Sequence, residues 1–233
     1  MDWKKLAEAE DLPDFVTDKS EKFKKLYELF VDWNSKINLS AIRDETGIYT
    51  KHFLDSVMPA KIFDLSDKKI LDVGCGGGFP SLPLGIIFPT AQITGLDSVG
   101  KKLKAVQDMA DKMEINMTTI NGRAETLGQD SAHREQYDVI VCRAVAPWNT
   151  LLEITLPFLK VGGKMIAYQT PSILDDVWAN ESIAERLGGM ILEVFEADFL
   201  GMERRFVVLK KFEQTAKKFP RAVGMPKHEP LKS

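Results

Sequence analysis

The stretch Lys69–Pro80, KILDVGCGGGFP, constrains this chain more than any other segment. Ile70, Leu71 and Val73 surround one acid, Asp72, and read as a buried strand over 70–73. Gly74, Gly76, Gly77 and Gly78 then fall within five residues, and Phe79-Pro80 leads into an apolar run that predicts a helix over 80–88. Glycine is needed where φ is positive or where a ligand must touch main chain. A strand, a glycine turn and a helix N-terminus in that order predict a ligand-binding edge in an α/β sheet.

From there the chain alternates. Strands are predicted at Gln92–Leu96, Met117–Asn121, Tyr137–Cys142 and Lys164–Gln169, with helices at Lys101–Met113, Trp148–Leu159 and Ser172–Leu187. Alternation of this kind predicts a mostly parallel sheet with helices on both faces. Met190–Phe199 and Arg204–Lys210 are separated by only four residues, so a closing hairpin adds an antiparallel strand at one edge. Residues 1–60 read as a helical segment ahead of the sheet. Phe23, Leu26, Tyr27, Phe30 and Trp33 recur at helical spacing and predict one apolar face. Residues 34–44 break that pattern, and Asp44-Glu45-Thr46 opens another helix toward Asp55. The organisation is thus a helical cap over 1–60, a ligand-binding α/β domain over 61–212 and a tail over 213–233.

Charge and composition exclude several classes. The net charge is −3 over 233 residues, so the chain is not a polycation. The tail differs: Lys210–Ser233 holds seven basic residues against two acids, with Pro220, Gly224, Pro226 and Pro230 leaving little room for helix. Two cysteines make no disulfide framework and favour a reduced, cytoplasmic setting. Three scattered histidines give no metal spacing, and no apolar run approaches the ~20 residues of a membrane span. A monomer suffices for everything the sequence asks.

A glycine turn alone would serve any nucleoside. Here Phe79 stands where the dinucleotide fingerprint has its third glycine, and Asp72 would repel a pyrophosphate. A buried acid beside the turn suits an amino-bearing, cationic ligand with no phosphate, which describes S-adenosylmethionine. Asp97, 23 residues after Gly74, ends the second strand and either accepts from ribose hydroxyls or caps the following helix. Backbone around Ala124 would meet adenine edges, and Glu125 either joins it or caps a short helix. Arg143 ends the fourth strand at the mouth of the cleft, to pair with Asp72 or with a ligand carboxylate or phosphate. Cys142 has no adjacent base and reads as a small buried hydrophobe rather than a nucleophile. The segments that exocyclic-amine and pyrimidine-C5 methyltransferases carry after this strand are missing. A purine ring nitrogen such as guanine N7 needs neither, because its lone pair is free and bears no proton. A nicotinamide oxidoreductase on the same sheet, or a non-catalytic RNA-binding protein, are the competing classes; the first lacks a Tyr-x-x-x-Lys relay, and the intact acids and glycines weigh against the second.

LDVGCGGGFPSLPL closely resembles the glycine motif of the GidB/RsmG family, 16S ribosomal RNA guanine-N7 methyltransferases. NLSAIRD at 38–44, HFLDSV at 52–57, RAE at 123–125, RA at 143–144 and KKFPRAVGMPKHEPL at 217–231 resemble that family's blocks in the same order. Cys75 departs from the usual serine, and Val99-Gly100 precedes Lys101-Lys102 where a longer side chain and Lys-Arg are commoner. The resemblance implies a Rossmann-like class I methyltransferase sheet, with S-adenosylmethionine held by Asp72, Gly74, Gly76, Phe79, Asp97, Ala124, Glu125 and Arg143. It implies a substrate wall from segment 34–58, with Asn38, Ser40, Arg43, His52 and Asp55 near the methyl donor and Arg143 orienting the base or its phosphate. Asn38, Arg43, His52 and Arg143 are the catalytic candidates. RNA contacts are expected from Arg43, Lys101, Lys102, Lys217, Lys218, Arg221 and Lys227, the partner being 16S rRNA or a small-subunit particle.

Overall fold

The computed structural model describes residues 1–233. Its strands are β1 (Lys69–Val73), β2 (Gln92–Asp97), β3 (Met117–Asn121), β4 (Tyr137–Arg143), β5 (Leu159–Gln169), β6 (Gly189–Phe199) and β7 (Met202–Lys211). They form one sheet in the order β3-β2-β1-β4-β5-β7-β6. The β1–β4, β2–β3 and β4–β5 pairs are parallel, and β7 runs antiparallel to both β5 and β6. The mostly parallel sheet with an antiparallel closing hairpin is the architecture the alternation predicts. The chain order reverses at β1, and ligands of such sheets bind where it does.

Three elements differ from expectation. β5 begins at Leu159 instead of Lys164, because Gly162 at φ 88° and a register shift between Tyr137 and Val139 let the strand absorb an irregular start. The helix predicted over Trp148–Leu159 stops at Thr155 and tightens into a 3-10 turn, Leu156–Phe158, at Pro157, which has no N–H to continue it. The helix predicted over Ser172–Leu187 is a 3-10 turn, Pro171–Ile173, and two short helices, Leu174–Ala179 and Glu181–Arg186. Asn180 breaks them at φ −122°, ψ 25°, with its own side chain donating to Asp176 O.

The chain divides into two compact units, Met1–Lys68 with Cys75–Asn121, and Lys69–Gly74 with Gly122–Ser233. In the first, helix Ser20–Lys36 buries Phe23, Leu26 and Phe30 as its spacing predicts. Trp3 stacks on Phe23 at 3.7 Å, and Trp33 Nε1 donates to Asp108 at 2.8 Å, joining helix Ser20–Lys36 to helix Gly100–Lys112. In the second, Ile140, Val141, Ile166, Ala167, Val207 and Val208 form the sheet's interior. No helix is long and apolar enough to cross a membrane.

The tail is strapped down along its length in this second unit. Arg134 donates to Gly128 O and Phe219 O, Gln129 to Lys217 O and Pro220 O, and Thr150 to Pro226 O. Only Met225–His228 is helical, as the proline content predicts. The strap begins at Gly188, whose carbonyl accepts from the N–H groups of Phe212 and Glu213. Gly188 has φ +83°, and a Cβ there would stand 2.2 Å from Glu213 O. Backbone cannot retreat as a flexible side chain can. Gly188→Ala is therefore expected to lose about 3 kcal/mol of stability, read as a fall in the denaturant midpoint.

Candidate active site

In the first unit the glycine turn is held by β2 and covered by the segment ahead of the sheet. Cys75 N–H donates to Leu96 O at 3.1 Å, and Gly76 N–H to Asp97 Oδ2 at 2.9 Å. Asp97 Oδ1 accepts from Val99 N–H at 2.8 Å. Asp97 thus shapes the start of helix Gly100–Lys112 and also fixes the turn, with its carboxylate half-buried. Gly76 and Gly78 have φ of 55° and 91°, a region that L side chains rarely adopt.

The NLSAIRD block lies against this turn. A Cβ at Gly77 would stand 3.4 Å from Leu39, so the loop and the turn are in close approach. Asn34 organises the block: its Oδ1 accepts from Leu39 and Ser40 N–H, and its Nδ2 donates to Ser40 O. Ser40 Oγ and His52 Nε2 are 2.8 Å apart. His52 in turn stacks on Phe79, rings 4.6 Å apart and 6° from parallel, and Phe30 meets Phe79 edge-on at 5.0 Å. Phe79, placed by sequence at the cofactor, is thus linked to Ser40 of the NLSAIRD loop through one imidazole. His52 sits on a π-helix, Ile48–Leu54, whose wider turn the spacing of apolar residues does not signal. Asn38 and Arg43 are exposed on the same loop, Asp55 is buried beyond it, and Lys101 and Lys102 open helix Gly100–Lys112.

In the second unit β1 and β4 lie side by side, with Asp72 opposite Val141. Asp72 is fully buried. Gly74 follows at φ 75°, and a Cβ on it would meet Val145 Cγ2 at 2.9 Å, so only glycine lets the turn pass this close to the loop after β4. Arg143 ends β4 half-buried, and Ala144 turns the chain with φ 55°. Cys142 is fully buried; burial first, and the Asp72 charge second, push its thiol well above the ordinary range. A thiol so disfavoured as thiolate is no nucleophile.

Glu125, on the short helix Ala124–Leu127, is buried and accepts from Arg123 Nη2 at 2.9 Å and from Gly224 N–H at 3.1 Å, both on Oε1. Burial alone would raise its carboxyl, but these two donors, with its own N–H, hold it below its usual value. Arg221 is engaged with Glu153: Nε donates to Oε1 at 2.9 Å, Nη2 to Oε2 at 2.7 Å, and Arg221 N–H to Oε1 at 2.9 Å. Lys217, Lys218 and Lys227 are exposed. Sequence reasoning gives Arg123 and Gly224 no role at the site and misses Glu153. Their signal is the proline-arginine and glycine-x-proline spacing of the tail, which marks a fixed backbone path more than a charged arm.

These residues suit S-adenosylmethionine on structural grounds. Asp72 is a buried acid where a pyrophosphate would be repelled and an amino group attracted. Gly74 to Gly78 offer main chain without side-chain bulk. Asp97 and Glu125 are carboxylates held by backbone donors, able to accept from hydroxyl and amine groups. The parallel sheet with a reversed strand near its edge, together with this turn, defines the S-adenosylmethionine-dependent methyltransferase fold. The fold is shared with a SAM-dependent methyltransferase from Aquifex aeolicus (TM-score 0.55, 17% identity, 72% of this chain and 94% of that one). It is shared also with M. jannaschii TYW2 in complex with AdoMet (TM-score 0.54, 15% identity, 75% and 79% covered). Residues 19–197 match the GidB family, described as rRNA small subunit methyltransferase G. A protein from Brevibacillus brevis named Ribosomal RNA small subunit methyltransferase G is 38% identical over 221 residues, 93% of each chain. One of the same name from Lactococcus lactis subsp. cremoris is 38% identical over 216 residues, 91% of each chain. The chain belongs to the GidB family of small-subunit rRNA methyltransferases.

Proposed function

We propose that this protein is an S-adenosylmethionine-dependent methyltransferase that methylates N7 of a guanine in 16S rRNA, acting as a monomer. The observation that carries this reading is the Ser40–His52–Phe79 chain of contacts, which ties the family's substrate-side block to the glycine turn. Asp72, Gly74, Gly76, Phe79, Asp97, Ala124, Glu125 and Arg143 hold the cofactor, which when bound supplies a methyl group activated on sulfonium.

Guanine N7 carries a lone pair and no proton, so its methylation releases no proton and requires no general base. Rate then comes from alignment and from exclusion of water. His52, held by Ser40 and stacked on Phe79, fixes the wall beside the cofactor rather than moving a proton. Asn38, Arg43 and Arg143 orient the base and its phosphate, a donor on guanine O6 or on the phosphate leaving the N7 lone pair free for the methyl group. Lys101, Lys102, Lys217, Lys218 and Lys227 supply salt-dependent attraction to the RNA backbone. Arg221 serves the RNA indirectly, by holding the tail that carries Lys217, Lys218 and Lys227.

The test is transfer of labelled methyl from S-adenosylmethionine to naked 16S rRNA and to small-subunit particles, with chemical mapping of N7-methylguanine. The wild type is expected to label a single guanine, and Arg143→Ala to lose about 100-fold or more in rate, as when a charge-assisted contact to the reacting group is removed. Binding of NADH without binding of S-adenosylmethionine would sink the reading. So would absence of transfer to both substrates.

A further inference from the structure

The tail block KKFPRAVGMPKHEPL is basic, yet the structure uses its most specific residues internally. Arg221 gives one edge of its guanidinium, Nε and Nη2, and its own N–H to Glu153, which is fully buried. Its Nη2 also donates to Glu229 O at 2.7 Å, closing segment 221–229 into a loop. Inside that loop Gly224 adopts φ +85°, which turns its N–H onto Glu125 Oε1 at 3.1 Å. Thr150 Oγ1 and Asn149 Nδ2 hold the far side through Pro226 O and Leu231 O. Ninety-nine residues of sequence separate Gly224 from Glu125. Glu125 is 5% exposed, so its carboxylate needs donors, and two of them come from Arg123 and from the tail.

Both of these donors engage Oε1, which fixes the orientation of the carboxylate. A buried carboxylate oriented in this way suits an exocyclic amine, such as that of an adenine ring. We propose that the C-terminal segment 221–229 is a positioning element of the cofactor site, with the Gly224 N–H and the Arg123 guanidinium together setting the Glu125 carboxylate for an exocyclic amine. This deepens the reading above and rests on it. The tail then acts on the methyl donor as well as on the RNA.

The test uses the full chain and three changes: Gly224→Ala, a glycolate ester at position 224 that deletes only the N–H, and Glu125→Gln. S-adenosylmethionine affinity is measured by titration calorimetry, and affinity for a 16S rRNA fragment by filter binding. Gly224→Ala and the ester are each expected to weaken the cofactor about tenfold and to leave RNA affinity within twofold, by the size of one hydrogen bond to a charged group. In the Glu125→Gln background either change should add less than twofold, because linked contacts are not additive. A tail that only stabilises the fold would lower the melting temperature and weaken both ligands alike, and that result overturns the proposal. So does an ester variant that binds the cofactor as the wild type does. A wild type that binds no S-adenosylmethionine overturns the reading of the site itself, and is seen before any variant is made.

Discussion

Arg221→Ala is expected to cost about 3–5 kcal/mol of folding stability. Glu153 is fully buried, and Arg221 supplies three of its hydrogen bonds, two from the guanidinium and one from the main chain. Truncating the arginine leaves a buried carboxylate with the main-chain donor alone. Taking both partners away avoids that penalty, so the paired Arg221→Met, Glu153→Met chain should lose only about 1 kcal/mol, since apolar replacement of a buried pair is often near neutral. The contrast separates an ion pair that holds structure from one that decorates a surface. Lys36–Asp32, with both side chains more than half exposed, should change stability by less than about 0.5 kcal/mol on removal. Denaturant unfolding of the three variants checks this. The Arg221 effect should also persist in high salt, because a buried pair is weakly screened. Equal losses for the single and paired variants would mean that Glu153 is not the reason Arg221 matters.

The same residue shows where sequence stops being legible. Counting charge over Lys210–Ser233 identifies a basic tail, but a count of charges carries no information about partners. Lys217, Lys218 and Lys227 are exposed as a basic arm would have them, whereas Arg221 faces a glutamate 68 residues earlier in the chain. The sheet is readable because each strand advertises itself: buried runs such as Ile140–Val141 and Val207–Val208 lie between turn residues. Breaks within helices are not, since Asn180 stands between two segments, LDDVWA and ESIAER, that both suit a helix. The π-helix at Ile48–Leu54 is equally hidden. It adds one residue to a turn without altering composition, yet it is the element that carries His52 to Phe79. For the site, the positions of Asp72, Gly76 and Asp97 follow from strand ends and glycine spacing. The Glu125–Gly224 contact does not, because long-range main-chain donors leave no mark on side-chain pattern.

Asp97→Asn is expected to weaken S-adenosylmethionine binding about 100-fold, nearly as much as Asp97→Ala, by the loss of two hydrogen bonds to a charged acceptor. Asparagine has almost the shape of aspartate, so size does not decide the outcome; the count of acceptors does. Asp97 uses one oxygen for Val99 N–H and the other for Gly76 N–H. An amide has a single oxygen. If it keeps Val99, its NH2 group faces the Gly76 N–H, donor against donor, and the glycine turn must move or leave a main-chain donor unpaired. If it keeps Gly76, the start of helix Gly100–Lys112 is released. In either case the ribose hydroxyls that we assign to this carboxylate lose a charged acceptor. Titration calorimetry with the cofactor measures the effect, and steady-state kinetics should place it in KM for S-adenosylmethionine more than in kcat, since the contact is made before and during transfer alike. An Asp97→Asn variant that binds within twofold of wild type would show that shape alone holds the turn, and that the carboxylate does not meet the cofactor.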